Sequence, residues 1–100
     1  MTLDEVAAFV ESLPQVRRKG TEAHPGWYVR DRLVARVLDP TTVLVRVPME
    51  ERDALMDAHP ATFGVPPKLE AHHKAEVYLE HADPDAVRTA IELAWRMQRR

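Results

Sequence analysis

The segment WYVRDRLVARVLDPTTVLVRV, residues 27–47, decides the fold. It has the alternation of β-strands, and two turns divide it. It contains three predicted strands, residues 27–29, 33–38 and 43–47. The first two flank a turn at Arg30-Asp31. Two-residue hairpin turns favour Asn-Gly or Gly-Gly, since both central residues need a positive φ. This turn has no glycine, so it is either longer than two residues or mildly strained.

Helical patterns precede and follow this segment. Residues 2–13 carry apolar side chains at helical spacing behind the capping pair Thr2 and Glu5, and Pro14 ends the helix. A second helix is predicted over residues 49–58. Asp83 is a good N-cap for a third helix, which begins with proline.

Two further strands are predicted, over residues 16–19 and 75–79, and residues 63–74 are irregular. The pattern predicts one α+β domain over residues 1–100, in the order helix–strands–helix–strand–helix. Its two layers are an antiparallel sheet and helices packed on one face.

The bulk composition limits the classes of function. The formal net charge is −2, whereas nucleic-acid-binding domains usually carry a basic excess, so such binding would need a local patch. There is no cysteine, which excludes disulfides and thiolate metal sites. No basic, apolar leader or membrane-length apolar run is present, so we expect a cytoplasmic protein that does not contact a membrane.

Catalytic and metal-binding motifs are missing from the sequence. Ser12, the one serine, lies in a helix and not in a hydrolase elbow, and three glycines leave little to cradle a phosphate. His72 and His73 are adjacent, and neighbours in extended chain point to opposite sides, so they rarely share a metal. We therefore predict no catalytic residue, no metal site, no cofactor and no enzymatic activity.

Arginines recur along the predicted hairpin and the strand after it. If Leu33, Ala35 and Val37 face the core, Val34 and Arg36 face the other way. The candidate nucleic-acid-binding residues on or near this face are Arg30, Arg32, Arg36 and Arg46. Such a face could bind phosphates and stack a base on an aromatic ring. The alternative is a solvated sheet face whose arginine stems cover apolar neighbours.

Phrases spread over nearly the whole chain resemble the MmcQ/YjbR-like family. They are residues 13–16 (LPQV), 48–55 (PMEERDAL), 59–63 (HPATF), 83–87 (DPDAV) and 94–96 (AWR). The resemblance implies the compact YjbR-like fold, related in layout to secretion chaperones, and a family often described as DNA-binding through a double-wing surface. Residues 65–74 depart from the family pattern, because they lack its glycine- and aromatic-rich loop.

We expect a monomeric domain and consider three functions for it. The first is a non-enzymatic binding domain of the MmcQ/YjbR type that binds DNA weakly and with little sequence preference through the hairpin and the arginine-bearing face. The alternative is a protein–protein interaction module that uses the same face, with Val34, Leu44 and Tyr78 as its apolar part. The third is a ligand binder with residues 63–74 as a lid.

Overall fold

The hairpin around Arg30 supplies two neighbouring strands of a six-stranded antiparallel sheet. The computed structural model describes all residues, 1–100. The helices are α1 (Leu3–Ser12), α2 (Met49–Ala58) and α3 (Pro84–Gln98). The strands are β1 (Arg17–Gly20), β2 (Pro25–Val29), β3 (Arg32–Asp39), β4 (Thr42–Val45), β5 (Phe63–Gly64) and β6 (Ala75–Tyr78). Their spatial order is β1-β2-β3-β4-β6-β5, with every neighbouring pair antiparallel, which confirms the predicted α+β class.

Two segments differ from the sequence prediction. The irregular stretch 63–74 contains the edge strand β5, which pairs with β6, and a 3-10 turn at Pro67–Leu69. A two-residue strand is too short to show alternation, so the pattern could not reveal it. Pairing with β1 also extends β2 back to Pro25, two residues before the start of the predicted strand. None of the three helices combines the length and the apolar character needed to cross a membrane.

The core lies between the helices and one face of the sheet, here called the inner face. Cross-strand pairs such as Trp27 with Ala35 and Val43 with Val77 define this face. Trp27 and Trp95 are both buried. Their indole N–H groups donate to Glu11 Oε2 at 2.8 Å and to the Pro14 carbonyl at 2.9 Å, respectively. The C-terminal end of α1 is therefore fixed to both the sheet and α3.

A β-bulge in β3 changes which side chains reach the inner face. Trp27 pairs with Ala35, but the next residue of β2, Tyr28, pairs with Leu33, so Val34 is left without a partner. Val34 and Ala35 are both fully buried in the core. The prediction that Val34 faces away from the core is wrong, because the bulge shifts the alternation by one residue between Leu33 and Ala35.

A buried arginine of α2 holds the segment that follows β5. The Arg52 side chain is 6% exposed. Its guanidinium donates to the carbonyls of Leu69, Glu70, His72 and Lys74 over 2.7–3.4 Å, and its Nε donates to Asp53. The carbonyls of this largely irregular segment thus receive charge-assisted hydrogen bonds, which fix it to α2.

Replacing Arg52 by alanine removes a buried, charged donor from these four carbonyls. We expect Arg52→Ala to lower the free energy of unfolding by about 2–4 kcal/mol, measured by urea denaturation, and to speed tryptic cleavage after Lys68. The control Arg96→Ala removes only an exposed ion pair with Glu92, and we expect a loss below about 0.5 kcal/mol. Equal losses in the two variants would contradict the bridging role of Arg52.

Candidate functional site

The solvent side of the sheet, here called the outer face, is basic over β1–β3. Side chains paired across antiparallel strands share a face. Lys19 pairs with Gly26, Gly26 with Arg36, and Arg36 with Leu44, all opposite to the inner-face residues. Arg17 joins this face through its pairing with Tyr28. The first three strands therefore present three exposed cationic side chains on one surface.

Tyr28 lies at the centre of these cations. A Cβ at Gly26 would sit 3.0 Å from Cε2 of Tyr28, so the ring lies across the glycine, which has no side chain to displace it. The Lys19 ammonium lies 5.2 Å from the centroid of the Tyr28 ring, within cation–π range. The tyrosine is half-buried, and its ring forms an aromatic floor between the basic side chains.

The hairpin tip adds a fourth cation in a strained conformation. Arg30 and Asp31 form a two-residue turn with φ of 53° and 62°. The turn thus has the short, strained form that was one of the two sequence-based alternatives. Lys19 Nζ bonds Asp31 Oδ1, and this contact holds the pKa of the Asp31 carboxyl below its usual value. Asp31 therefore remains ionised and orients Lys19 towards the tip.

An open cavity of about 220 Å³, here called the tip cavity, lies where these side chains meet. Its lining residues are Gln15, Arg17, Lys19, Tyr28, Arg30 and Asp31. All of the non-glycine residues with positive φ in the chain, Gln15, Arg30 and Asp31, are among them. Backbone strain that clusters at one cavity is a reason to suspect function there, since it persists only where the surroundings impose it.

The four predicted arginines fall into two groups. Arg30 lines the tip cavity, and Arg36 is exposed on the outer face. Arg32 pairs with Val29 and so lies on the inner side of the sheet, where its Nη1 donates to the main-chain oxygen of Arg100 at 2.8 Å. Arg46 follows the end of β4, where its N–H still donates to the Val34 carbonyl at 3.0 Å, and its side chain lines a different cavity together with Arg32.

Arg17 and Lys19 belong to the outer face but were not among the predicted site residues. The sequence shows the basic run at residues 17–19, yet only the pairing of β1 with β2 places it beside the hairpin. Alternation within β1 sends Arg18 to the other side, where it contacts Glu11 and the Trp27 ring. If the pairing of β1 with β2 had been predicted, the alternation of side chains within β1 would have placed both Arg17 and Lys19 on the outer face.

Two of the three apolar members of the predicted interaction surface, Val34 and Leu44, are buried, and Tyr78 is half-buried. Val34 lies in the core and Leu44 is only 3% exposed. Tyr78 packs against Gly64, where a Cβ would overlap its hydroxyl, and donates to Glu76 at 3.1 Å. Burial and the neighbouring Glu76 raise the pKa of Tyr78. No large hydrophobic side chain of the chain is exposed, so the expected mixed apolar patch is not formed.

Comparison with known proteins supports the fold. The chain resembles the crystal structure of Deinococcus radiodurans protein DR2400, described as a DUF419 domain, with a TM-score of 0.77 and 18% sequence identity. The match covers 96% of this chain and 77% of that one. DUF419 corresponds to the MmcQ/YjbR-like fold family, so the fold implied by the sequence resemblance is confirmed. No family model and no curated protein matches the sequence.

The strain at Arg30 predicts that a residue better suited to positive φ is stabilising. Asparagine adopts this conformation more easily than arginine. We expect Arg30→Asn to raise the free energy of unfolding by about 0.5–1 kcal/mol in urea denaturation. The control Arg17→Asn lies in β1 without positive φ and should be neutral or destabilising, because asparagine is disfavoured in strands. A destabilised Arg30→Asn protein would contradict the strain argument.

Proposed function

We propose that this chain is a non-enzymatic binding domain of the MmcQ/YjbR type that binds DNA on the outer face of β1–β3. The observation that carries the proposal is the grouping of Arg17, Lys19, Arg30 and Arg36 around the Tyr28 ring. Lys19 and Arg36 lie on the strands that flank β2, so their backbones are roughly 10 Å apart. At that spacing the two long side chains can each contact a different phosphate of one nucleic-acid backbone.

The charge distribution supports a local surface despite the net charge of −2. The cations lie at the β1–β3 side of the outer face, whereas Glu76, on β6, pairs with Leu44 on the far side of β4. The field is thus positive over one half of the face and falls towards the other half. A DNA strand would be attracted to the positive half and held at its edge.

The chemistry of the tip cavity favours binding over catalysis. Asp31 is the one carboxylate among its lining residues, and the hydrogen bond from Lys19 lowers its pKa. A carboxylate of lowered pKa is a poor general base. The remaining lining groups are donors or an aromatic ring, which suit phosphate contact and stacking.

Little sequence preference is expected of such a surface. Contacts to phosphates fix the position of the ligand but do not read base edges. The sequence phrases that resemble the MmcQ/YjbR-like family agree with this proposal, because that family is often regarded as DNA-binding. The burial of Leu44 and Val34 removes the argument for a protein-interaction surface here. The cytoplasmic location and the monomeric state stay predictions.

Binding of a labelled duplex, followed by fluorescence anisotropy, tests the proposal. Three to four phosphate contacts predict that affinity falls roughly 40- to 150-fold between about 50 and 200 mM salt. The variant R17A/K19A/R30A/R36A should bind at least about 10-fold more weakly at 50 mM salt and with a smaller salt slope.

A matched control removes four cations from other surfaces. The variant K68A/R88A/R96A/R99A changes the net charge equally, and we expect its affinity to stay within about three-fold of the wild type. Absence of wild-type binding at 50 mM salt would contradict the proposal. Equal losses in the two variants would also contradict it, because they would indicate attraction by net charge alone.

A further inference from the structure

A second cavity lies on the other side of the hairpin, between β3, the end of β4 and the last turn of α3. Its volume is about 350 Å³, and we call it the helix-end cavity. Its lining residues are Arg32, Arg46, His73, Met97 and Gln98. No carboxylate is among them, so two arginine charges face this space without an acidic neighbour in the lining.

Gln98 is the unusual member of this group. The residue is 3% exposed, and its side-chain Nε2 is buried without any hydrogen-bond partner. A buried donor without an acceptor is unfavourable and rare in folded proteins, so each one needs an explanation. The Gln98 amide is the one such group in this chain, and it shares the cavity lining with two arginines and no carboxylate side chain.

The arginines of the cavity have donors to spare. Arg46 is half-buried, and its guanidinium forms no ion pair or hydrogen bond with any side chain or carbonyl. Arg32 uses Nη1 to bind the main-chain oxygen of Arg100, and its other N–H groups remain free of protein acceptors. Each guanidinium carries five N–H donors in a planar fork that fits a carboxylate or a phosphate.

We propose that the helix-end cavity binds a small oxyanion, a carboxylate or phosphate group, through Arg32, Arg46 and the Gln98 amide. The anion supplies the acceptor that Gln98 Nε2 lacks and neutralises the two guanidinium charges. Met97 provides an apolar wall for the body of the ligand, and the volume admits a small metabolite. This site is distinct from the proposed DNA surface, because Arg32 lies on the opposite side of the sheet from Arg36.

The sequence offers a direct spectroscopic readout for both sites. The chain contains two glutamines, Gln15 and Gln98, and no asparagine. A ¹⁵N correlation spectrum therefore holds only two side-chain amide groups. Gln98 reports on the helix-end cavity, and Gln15 reports on the tip cavity.

The experiment titrates the wild-type protein with inorganic phosphate and, separately, with succinate, at constant ionic strength set with chloride. We expect saturable shifts of the Gln98 amide with Gln15 unchanged, and a rise in Tm of roughly 5–10 °C at ten times Kd. A response to phosphate alone identifies a phosphate site, and a response to succinate alone identifies a carboxylate site. A response of Gln98 to neither anion overturns the proposal.

Two variants and a control connect the effect to the residues. Arg46→Gln keeps the Gln98 reporter, and we expect at least about 10-fold weaker anion binding. Gln98→Met replaces the unpartnered amide by an apolar side chain, so the unliganded protein should have a higher Tm and lose most of the rise caused by the anion. Arg88→Gln, at an exposed site, should behave as the wild type. Unchanged binding in Arg46→Gln would overturn the proposal.

A titration with duplex DNA separates the two sites. We expect DNA to shift the Gln15 amide and to leave Gln98 in place, with R32Q/R46Q binding DNA within about three-fold of the wild type. A DNA-induced shift of Gln98 would assign this cavity to the DNA surface and overturn a separate anion site. Failure of DNA to bind at all would contradict the proposed function while the anion result stands on its own.

Discussion

Val34, which has no pairing partner on β2, marks the bulge that decides which side chains of β3 reach each face of the sheet. Successive side chains of a strand point to opposite faces of the sheet. One extra residue in a strand therefore reverses the faces of all the side chains on one side of the bulge. Here the bulge keeps Arg36 on the outer face and turns Arg32 to the inner side. It also buries Val34 and Ala35 together, which extends the core towards the tip.

The two faces of the sheet differ in their surroundings, and their side chains differ accordingly. The inner face is continuous with α1 and α3 and excludes water, so it holds aliphatic side chains and Trp27. The outer face carries no large exposed hydrophobic side chain, and two tyrosine rings lie across its glycines. Tyr28 covers Gly26 and Tyr78 packs on Gly64, an arrangement that shields the backbone there.

The candidate sites depend on different supports. The tip cavity rests on a strained two-residue turn and on β1, an edge strand whose residues are all exposed. The helix-end cavity is bounded by the last turn of α3 and by His73, in the segment that Arg52 fixes to α2. The tip cavity is thus lined by exposed cations around a strained turn, whereas the helix-end cavity places Arg32 and Arg46 beside the buried Gln98. The first arrangement suits a polymer bound along a surface, and the second suits a small anion bound beside the end of α3.

Sequence by itself determined the local elements and the fold class. Thr2 and Glu5 form the predicted capping box, and Asp83 caps α3 as expected, because capping depends on residues three positions apart or fewer. Turn residues and alternation likewise located the hairpin and the strands that follow. These features depend on neighbours in the chain, so the amino-acid order is sufficient to predict them.

Only the tertiary structure decided which basic residues share a surface. It joined Arg17 to Tyr28 through the pairing of β1 with β2, and it separated Arg32 from Arg36 by a bulge without a glycine or proline to mark it. It also brought Arg46 and Gln98, 52 positions apart by their numbers, to one cavity. Strand register and helix docking are set by the packing of the whole core, and the spacing of residues along the chain does not contain that information.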